Sequence, residues 1–224
     1  MRASVRVVIN CAGEGRRLGL GSTKALVSVM GEPLIAWHLR MLRHVDDVVV
    51  VVGYQAEQVI EAVRPLRPDA IFAFNHDYAT TGTAASLAKG CRGANGDVIS
   101  LDGDLLVHPE DFDAFLRAPR PCLGVAPATT THAVHARVVG ENGSTAVVGF
   151  NDVGDGLEWT GLLRVPGALV EEAEAGHATR GHVFEMLAPH LPMQALHVRA
   201  REIDTPADYD RALEWLAPIA HHWS

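Results

Sequence analysis

The first hundred residues alternate between short apolar runs and segments with the apolar spacing of an amphipathic helix. VRVVIN at 5–10 and the valine-rich DDVVVVVG at 46–53 are typical of strands buried on both faces. PLIAWHLRML at 33–42, between them, predicts a helix. The alternation predicts a mostly parallel sheet covered by helices on both faces. It continues with predicted helices at 55–63 and 83–91 and predicted strands at 70–75 and 97–104.

The pattern changes after Pro109, where strand-like runs follow one another and ENG at 141–143 predicts a hairpin turn. Thr205 as N-cap and Pro206 at the first helical position predict a final helix over 205–218. No internal repeat or long linker is visible. The remaining predicted elements are strands at 121–128, 134–143, 145–150, 156–166 and 195–204 and a helix at 181–191.

Composition narrows the class of protein. The 224 residues carry a formal net charge of −8, which disfavours a general nucleic-acid or membrane-surface binder but leaves room for a local basic pocket. Three widely spaced cysteines indicate a reducing compartment. The apolar run at 5–9 is too short for a signal peptide and no window reaches membrane-span length, so we expect a cytoplasmic protein. The twelve histidines are too scattered to predict a metal site.

Three segments that follow predicted strands hold the candidate chemistry, because ligands of open α/β sheets bind beyond the carboxyl ends of the strands. The first is INCAGEGRRLG at 9–19. Gly13 and Gly15 allow backbone N–H groups to approach a phosphate, and Arg16 and Arg17 can neutralise it. The spacing does not complete G-x-G-x-x-G, which disfavours a dinucleotide dehydrogenase. Taken alone, the loop also fits an ordinary strand-to-helix turn.

Lysine is rare in this chain, and that makes one lysine conspicuous. Of the 19 basic residues only Lys24 and Lys89 are lysines, so arginine is the usual cation here. Lysine and arginine differ in shape and hydration, and Lys24 soon follows the glycine loop. Lys24 is therefore a candidate for a specific role.

The second and third segments are FNHDYATTGTAAS at 74–86 and LDGD at 101–104. The former offers hydroxyl and N–H groups for a base or ribose, or merely caps a helix. The latter places Asp102 and Asp104 at a strand end, where they suit Mg²⁺ or form a solvated turn. REID at 201–204 also ends in a carboxylate, Asp204. If the two strands are neighbours, Asp104 and Asp204 share one metal.

Together these segments resemble the nucleotidyltransferase superfamily of sugar-1-phosphate nucleotidyltransferases and bacterial phosphocholine cytidylyltransferases. CAGEGRRLG resembles its A-A/G-G-x-G-x-R-L signature, and TKALVSVMGEPLIAWHLRML resembles its P-K-A-L-x-x-[VI]-x-G-x-P-L-I segment. LDGD lies at its metal aspartate, and EIDTPADY resembles its E-I-D-T-x-x-D-[LY] ending. The matches occur in family order from residue 7 to about residue 216. Two features depart from the pattern: Thr23 replaces the usual proline, and the loop is shortened to GLGS at 19–22.

The resemblance implies a single α/β domain over 1–224 with a Rossmann-like, glycosyltransferase A-type fold, whose mixed, mostly parallel sheet is flanked by helices. Its nucleotide-binding half is 1–108 and its acceptor-binding half is 109–224. It also implies Mg²⁺-dependent transfer of a nucleotidyl group, with release of pyrophosphate. The implied roles are catalytic for Arg17 and Lys24; metal-binding for Asp104 and Asp204; and nucleotide-binding for Ala12, Gly13, Gly15, Arg16, Asn75, Gly82, Thr83, Ser86 and Asp102.

The substrates are less closely defined. The segments at 74–87 and 181–216 are most like those of the cytidylyl group, which favours CTP. The acceptor is a small phosphorylated compound (a phosphocholine-like compound, a polyol phosphate or a sugar 1-phosphate) or a phosphonate. The candidate acceptor residues are Glu158, Trp159, Thr160, His182 and Glu185.

Other interpretations remain open. One is a glycosyltransferase of the related A-type fold, which has no need for the phosphate-binding Arg17 and Lys24, so their presence disfavours it. The other is a non-catalytic nucleotide sensor, which is disfavoured because all four charged motif positions are intact. Trp215 and Trp223 near the chain end hint at a homodimer, although core packing is the simpler account.

Overall fold

The computed structural model describes residues 5–129, 132–141, 144–151, 156–177 and 179–223. Its strands are β1 (Val5–Cys11), β2 (Ser28–Val29), β3 (Glu32–Pro33), β4 (Asp47–Val52), β5 (Ile71–Phe74), β6 (Asp97–Asp102), β7 (Leu105–Val107), β8 (Cys122–Pro127), β9 (His135–Glu141), β10 (Ser144–Asn151), β11 (Leu157–Pro166), β12 (Met193–His197) and β13 (Ala200–Glu202). Its helices are α1 (Leu34–Met41), α2 (Ala56–Val63), α3 (Thr83–Cys91), α4 (Pro109–Arg117), α5 (Gly167–Ala175), α6 (Val183–Leu187) and α7 (Pro206–Leu216).

Nine of these strands form one mixed sheet in the order β5-β4-β1-β6-β11-β8-β12-β10-β9. The strands of the alternating half, β5, β4, β1 and β6, pair in parallel, as their continuous apolar runs predict. Strand β11 runs antiparallel to both β6 and β8 and so joins the two halves of the chain. The predicted mixed α/β sheet is confirmed, with β8–β12 the one parallel pairing seen among the described strands of the second half.

Helices cover both faces of the sheet, and the alternation of side chains along β1 divides the core in two. Val7 and Ile9 pack with α1 and α2, whereas Val8 packs on the other face with α3 and α5. Trp223 is buried in the first cluster, where its ring lies 5.8 Å from that of Trp37. Core packing therefore accounts for this tryptophan.

The predicted strand at 195–204 is two strands in different sheets. Strand β12 lies in the large sheet, and after a break at Val198 and Arg199 the chain forms β13, which pairs antiparallel with β7. The predicted helix at 181–191 is also shorter, because α6 ends at Leu187 and a single 3₁₀ turn follows. The predicted hairpin at 141–143 includes residues outside the described part of the chain.

Helices α4 and α5 and the short strands β2, β3 and β7 were not predicted. The sequence signal for α4 was present, since Pro109 begins it and Glu110 and Asp111 lie in its first turn. In contrast, α7 begins as predicted: the Asp208 backbone N–H donates to the side chain of Thr205, and Pro206 is its first residue. No helix among the described residues is long and apolar enough to cross a membrane.

Candidate active site

A cleft of about 480 Å³ lies beyond the carboxyl ends of β1, β5 and β6, where the three candidate segments meet. Both halves of the chain line it, the first with the glycine loop and the second with part of β11 and the start of α6. The parallel register of β1 and β6 places Asn10 opposite Asp102, so the loops after these strands begin side by side. A Cβ on Gly103 would lie 2.7 Å from the Asn10 carbonyl oxygen, so this close approach requires glycine.

Three carboxylates meet at one end of the cleft. Asp104 lies between β6 and β7, and the β7–β13 pairing places Asp204 beside it, with the Ile203 N–H donating to the Asp104 carbonyl at 2.9 Å. The condition set for a shared metal, that the two strands are neighbours, is met by this separate two-stranded sheet, which joins the segments carrying the two aspartates. Oxygen atoms of Asp104, Asp204 and Glu202 all lie within 4.8 Å of one another.

Glu202 belongs to this cluster and was not predicted. It is the last residue of β13, two residues before Asp204, and side chains at i and i+2 of an extended chain share a face. That spacing was the available signal. Burial raises the pKa of Glu202 to about 9. The charge of Asp104 is the next largest cause of this rise, and Asp204 and Asp102 add to it, whereas the charge of Lys24 lowers the pKa. The donor set of carboxylate oxygens in this cluster fits Mg²⁺.

Lys24 lies between the two aspartates. Its Nζ is 2.6 Å from Asp104 Oδ2 and 2.5 Å from Asp204 Oδ1, and only 14% of its side chain is exposed. Burial alone would lower the pKa of Lys24, but the charges and hydrogen bonds of the two aspartates outweigh burial and raise it. Arg17 contacts the same cluster, with Nη1 2.7 Å from Asp204 Oδ2. The two predicted catalytic cations and the two predicted metal ligands thus form one contiguous group.

The glycine loop packs against the segment that carries Lys24. Gly15 has a φ of +63°, and a Cβ there would lie 2.9 Å from the Ser22 carbonyl oxygen and 3.0 Å from Lys24 Cγ. Ala12, Gly13 and Gly15 line the cleft. Arg16 also lines it, but its side chain is 78% exposed and pairs with Glu14, whereas the side chain of Arg17 pairs with Asp204 of the carboxylate cluster.

Asp102 lines the cleft beside the carboxylate cluster. Burial raises its pKa to about 7, the charge of Asp104 adds to this, and the Asn10 hydrogen bond and Lys24 oppose it. Gly161 in β11 has a φ of +83°, and a Cβ there would lie 2.4 Å from Asp102 Oδ2. Strand β11 therefore passes directly beside this carboxylate at Gly161.

The second candidate segment forms another part of the cleft wall. Asn75 is buried, and its Nδ2 donates to Thr81 Oγ1 at 3.2 Å and to Ser86 Oγ at 3.0 Å. Gly82 is the N-cap residue of α3, and no side chain accepts a capping hydrogen bond there. Capping of this helix therefore does not explain the threonines of the segment. The Thr83 hydroxyl instead accepts the Val183 N–H at 3.1 Å. A Cβ on Gly82 would lie 2.1 Å from the Gly181 carbonyl oxygen.

The predicted acceptor residues do not all reach the cleft. Trp159, Thr160 and His182 line it, together with Phe184, on which the His182 ring stacks at 5.8 Å. Glu185 caps α6, since its Oε2 accepts the His182 backbone N–H at 2.7 Å.

Glu158 is buried elsewhere, with its Oε2 3.4 Å from the Thr129 nitrogen. Neither glutamate is among the lining residues described for the cleft. Asn10, Tyr78 and His132 also line it; Asn10 and Tyr78 lie within the first two candidate segments but were not singled out there, and no motif marks His132.

Comparison with known proteins identifies a family of NTP transferase domains and relatives of the chain. Residues 7–197 match the model of the MobA-like NTP transferase domain. The bifunctional protein GlmU of Paracoccus denitrificans is 29% identical over 178 residues, which are 75% of this chain and 40% of that protein. GlmU of Anaeromyxobacter sp. strain K is 34% identical over 125 residues, 53% of this chain and 26% of that protein. The matched segments thus span about a quarter to two fifths of the length of these relatives.

Solved structures share the fold over nearly the whole chain. CTP:phosphocholine cytidylyltransferase from Streptococcus pneumoniae superposes with a TM-score of 0.75 at 20% identity, covering 95% of this chain and 99% of that one. The inositol-1-phosphate CTP transferase from T. maritima gives 0.79 at 18% identity and covers 96% of each chain. A putative glucose-1-phosphate thymidylyltransferase from Bacillus anthracis gives 0.79 at 12% identity, again with 96% of each chain. At such low sequence identities, these superpositions establish a likeness of fold alone.

Proposed function

Because the chain belongs to the family of MobA-like NTP transferase domains, we propose that it transfers a nucleoside monophosphate from a nucleoside triphosphate to a small phosphorylated or phosphonate acceptor. Pyrophosphate is the second product. The observation that carries the proposal is the group formed by Lys24, Arg17, Asp104 and Asp204 beside the glycine loop. Such a group suits the binding of a triphosphate and a divalent cation and lies at the carboxyl ends of the strands.

The reaction needs positioning more than proton transfer. An acceptor oxygen attacks the α-phosphorus in line, a new P–O bond forms, and the bond from the α-phosphorus to the bridging oxygen breaks as pyrophosphate leaves. A phosphate monoester has its second pKa near 6, so the attacking oxygen is largely ionised at neutral pH and needs no general base. Arg17 and the N–H groups of the glycine loop hold the β- and γ-phosphates. Lys24 contacts the α-phosphate and the incoming acceptor and so holds them together.

Asp104, Glu202 and Asp204 would hold Mg²⁺, because their oxygens converge within 4.8 Å. The bound metal supplies positive charge at the α-phosphate. Lys24 contacts two of the same three carboxylates. The protein thus keeps its catalytic lysine and its metal ligands together before substrate arrives.

The nucleoside and the acceptor occupy adjoining parts of the cleft, since Gly82 and Thr83 pack against the start of α6. Gly82, Thr83 and Ser86, with Asn75 behind them, contact the base or ribose. The cytidylyl-like segments of the sequence favour CTP, and two of the similar folds are named as CTP-using enzymes. Trp159, Thr160 and His182 face the acceptor, which is a phosphocholine-like compound, a polyol phosphate, a sugar 1-phosphate or a phosphonate.

A pyrophosphate-release assay tests this proposal directly. The purified protein is incubated with Mg²⁺, one of CTP, UTP, dTTP, GTP or ATP, and a panel of phosphorylated and phosphonate acceptors. We expect acceptor-dependent release that is fastest with CTP and abolished by EDTA. No release from any pair would refute the proposed activity. Transfer of sugar from a nucleotide-sugar to an acceptor, with release of the nucleotide, would indicate a glycosyltransferase, and tight nucleotide binding without turnover would indicate a sensor.

A further inference from the structure

We propose that Gln55 is the positioning residue of Lys24, acting through the backbone N–H of Thr23. This inference rests on the proposed nucleotidyl transfer for its kinetic consequences, but its physical basis is local. The Thr23 N–H donates to Gln55 Oε1 at 2.9 Å, across a separation of 32 residues. Thr23 directly precedes Lys24, whose side chain reaches both aspartates.

The Thr23 N–H has a strong need for this acceptor. Thr23 is 1% exposed, so water does not reach it. A buried amide that loses its acceptor has given up its hydrogen bonds to water without a replacement, which is unfavourable. The Thr23 hydroxyl is 3.4 Å from the Cys11 carbonyl oxygen and so ties the same residue to the end of β1. Without the Gln55 acceptor, Thr23 therefore has to shift towards water to satisfy its N–H, and Lys24 shifts with it.

Gln55 is held in place by an unusual backbone. Its φ is +52° and its ψ is +39°, a left-handed conformation that a side chain such as glutamine rarely adopts. The preceding residues fix this turn: the Tyr54 N–H donates to the Ala12 carbonyl at 3.0 Å, and a Cβ on Gly53 would lie 2.8 Å from the same oxygen. Strained positions of this kind cluster at functional sites, where the surrounding structure holds them.

The backbone conformation of Thr23 is one that a proline could also adopt without the hydrogen bond to Gln55. Its φ is −60° and its ψ is 141°, close to the φ that a proline ring imposes. A proline could therefore occupy this position, and it would have no N–H to satisfy. The Thr23–Gln55 pair thus fixes by a hydrogen bond what a proline ring fixes covalently. This predicts that Gln55 matters only while residue 23 carries an N–H.

A double-mutant cycle tests this dependence. Gln55→Met keeps the length of the side chain but removes the acceptor, whereas Gln55→Glu keeps an acceptor oxygen. Because a misplacement of about 1 Å costs up to about 10²-fold in rate, we expect Gln55→Met to lower kcat about tenfold or more, with KM for the nucleotide changed less than about twofold. Gln55→Glu retains most of kcat. In the Thr23→Pro background, Gln55→Met has no further effect.

The controls separate this inference from the proposed function. Gln58→Met changes an exposed glutamine on α2 and leaves kcat unchanged. Equal losses from Gln55→Met in the Thr23 and Thr23→Pro backgrounds, or an equal loss from Gln58→Met, overturn the inference. Inactivity of the unaltered protein with every substrate pair would refute the proposed function instead. In that event amide hydrogen exchange decides: peptides covering 21–26 exchange faster in Gln55→Met if Gln55 holds this segment, and unchanged exchange overturns the inference.

Discussion

Replacing Lys24 by methionine removes the cation between Asp104 and Asp204 while keeping a side chain of similar length. The change leaves three converging carboxylates with Arg17 as their nearest remaining ion-pair partner among the described residues. We therefore expect a protein that is less stable, depends more on divalent metal and is nearly inactive. Each of the three effects has the same electrostatic cause.

The magnitude follows from burial. Breaking a fully buried ion pair costs 3–5 kcal/mol, but Lys24 keeps 14% exposure and Arg17 still contacts Asp204, so we expect a loss of about 2 kcal/mol. For a chain of this size that corresponds to a fall in Tm of about 4–8 °C. A ligand that binds only the native state restores about 2.7 kcal/mol at a concentration one hundred times its Kd. Mg²⁺ should therefore raise the Tm of the variant more than that of the unaltered protein, because Lys24 no longer competes for the same oxygens.

Thermal unfolding with and without Mg²⁺, and pyrophosphate release at saturating substrates, measure these effects. Loss of a charged contact to the reacting phosphates costs about 2.7–4 kcal/mol, so turnover should fall at least about 10²-fold. Lys89→Met is the matched control, because it removes the other lysine, which lies on α3, and should leave turnover and the response to Mg²⁺ unchanged. A Lys24→Met protein with unchanged Tm, an ordinary response to Mg²⁺ or near-normal turnover would refute this reasoning.

Three further outcomes are expected. Asp104→Asn should abolish Mg²⁺-dependent pyrophosphate release while circular dichroism shows an intact fold; persisting release would remove Asp104 from the metal site. Gly161→Ala should lower acceptor-dependent kcat/KM at least tenfold, because a Cβ there would lie 2.4 Å from Asp102 Oδ2, and Gly156→Ala, at an open positive-φ position, is its control. Burial raises the pKa of the Cys91 and Cys122 thiols to about 12, so a thiol reagent at pH 8 should label neither before denaturation; rapid labelling of the native protein would contradict their burial.

Local sequence was enough to find the elements that frame the site. Continuous apolar runs marked β1, β4 and β6, and helical spacing marked α1 and α3, because period and burial are encoded within a few residues. Single positions of chemical interest were also visible, as a glycine pair, a rare lysine and two strand-ending carboxylates. Most of the cleft wall contributed by the first half of the chain could therefore be predicted.

Local patterns predict less where one element depends on another. The predicted strand at 195–204 is β12 and β13, because the break between them follows from pairing with different sheets. Glu185 was predicted to contact the acceptor, but this glutamate caps α6 through the His182 N–H. Helix α4 was not predicted, although it begins with a proline and has an acidic first turn.

The sequence by itself determined the succession of strands and helices and the identity of the charged groups. Only the tertiary structure decided that Lys24 lies within hydrogen-bonding distance of Asp204, 180 residues away, and that Glu202 joins the same cluster. It also decided that Gln55 meets Thr23. The physical reason is that burial and periodicity are local properties of a chain, whereas contacts between distant residues depend on sheet order, register and loop closure, which a single sequence pattern does not specify.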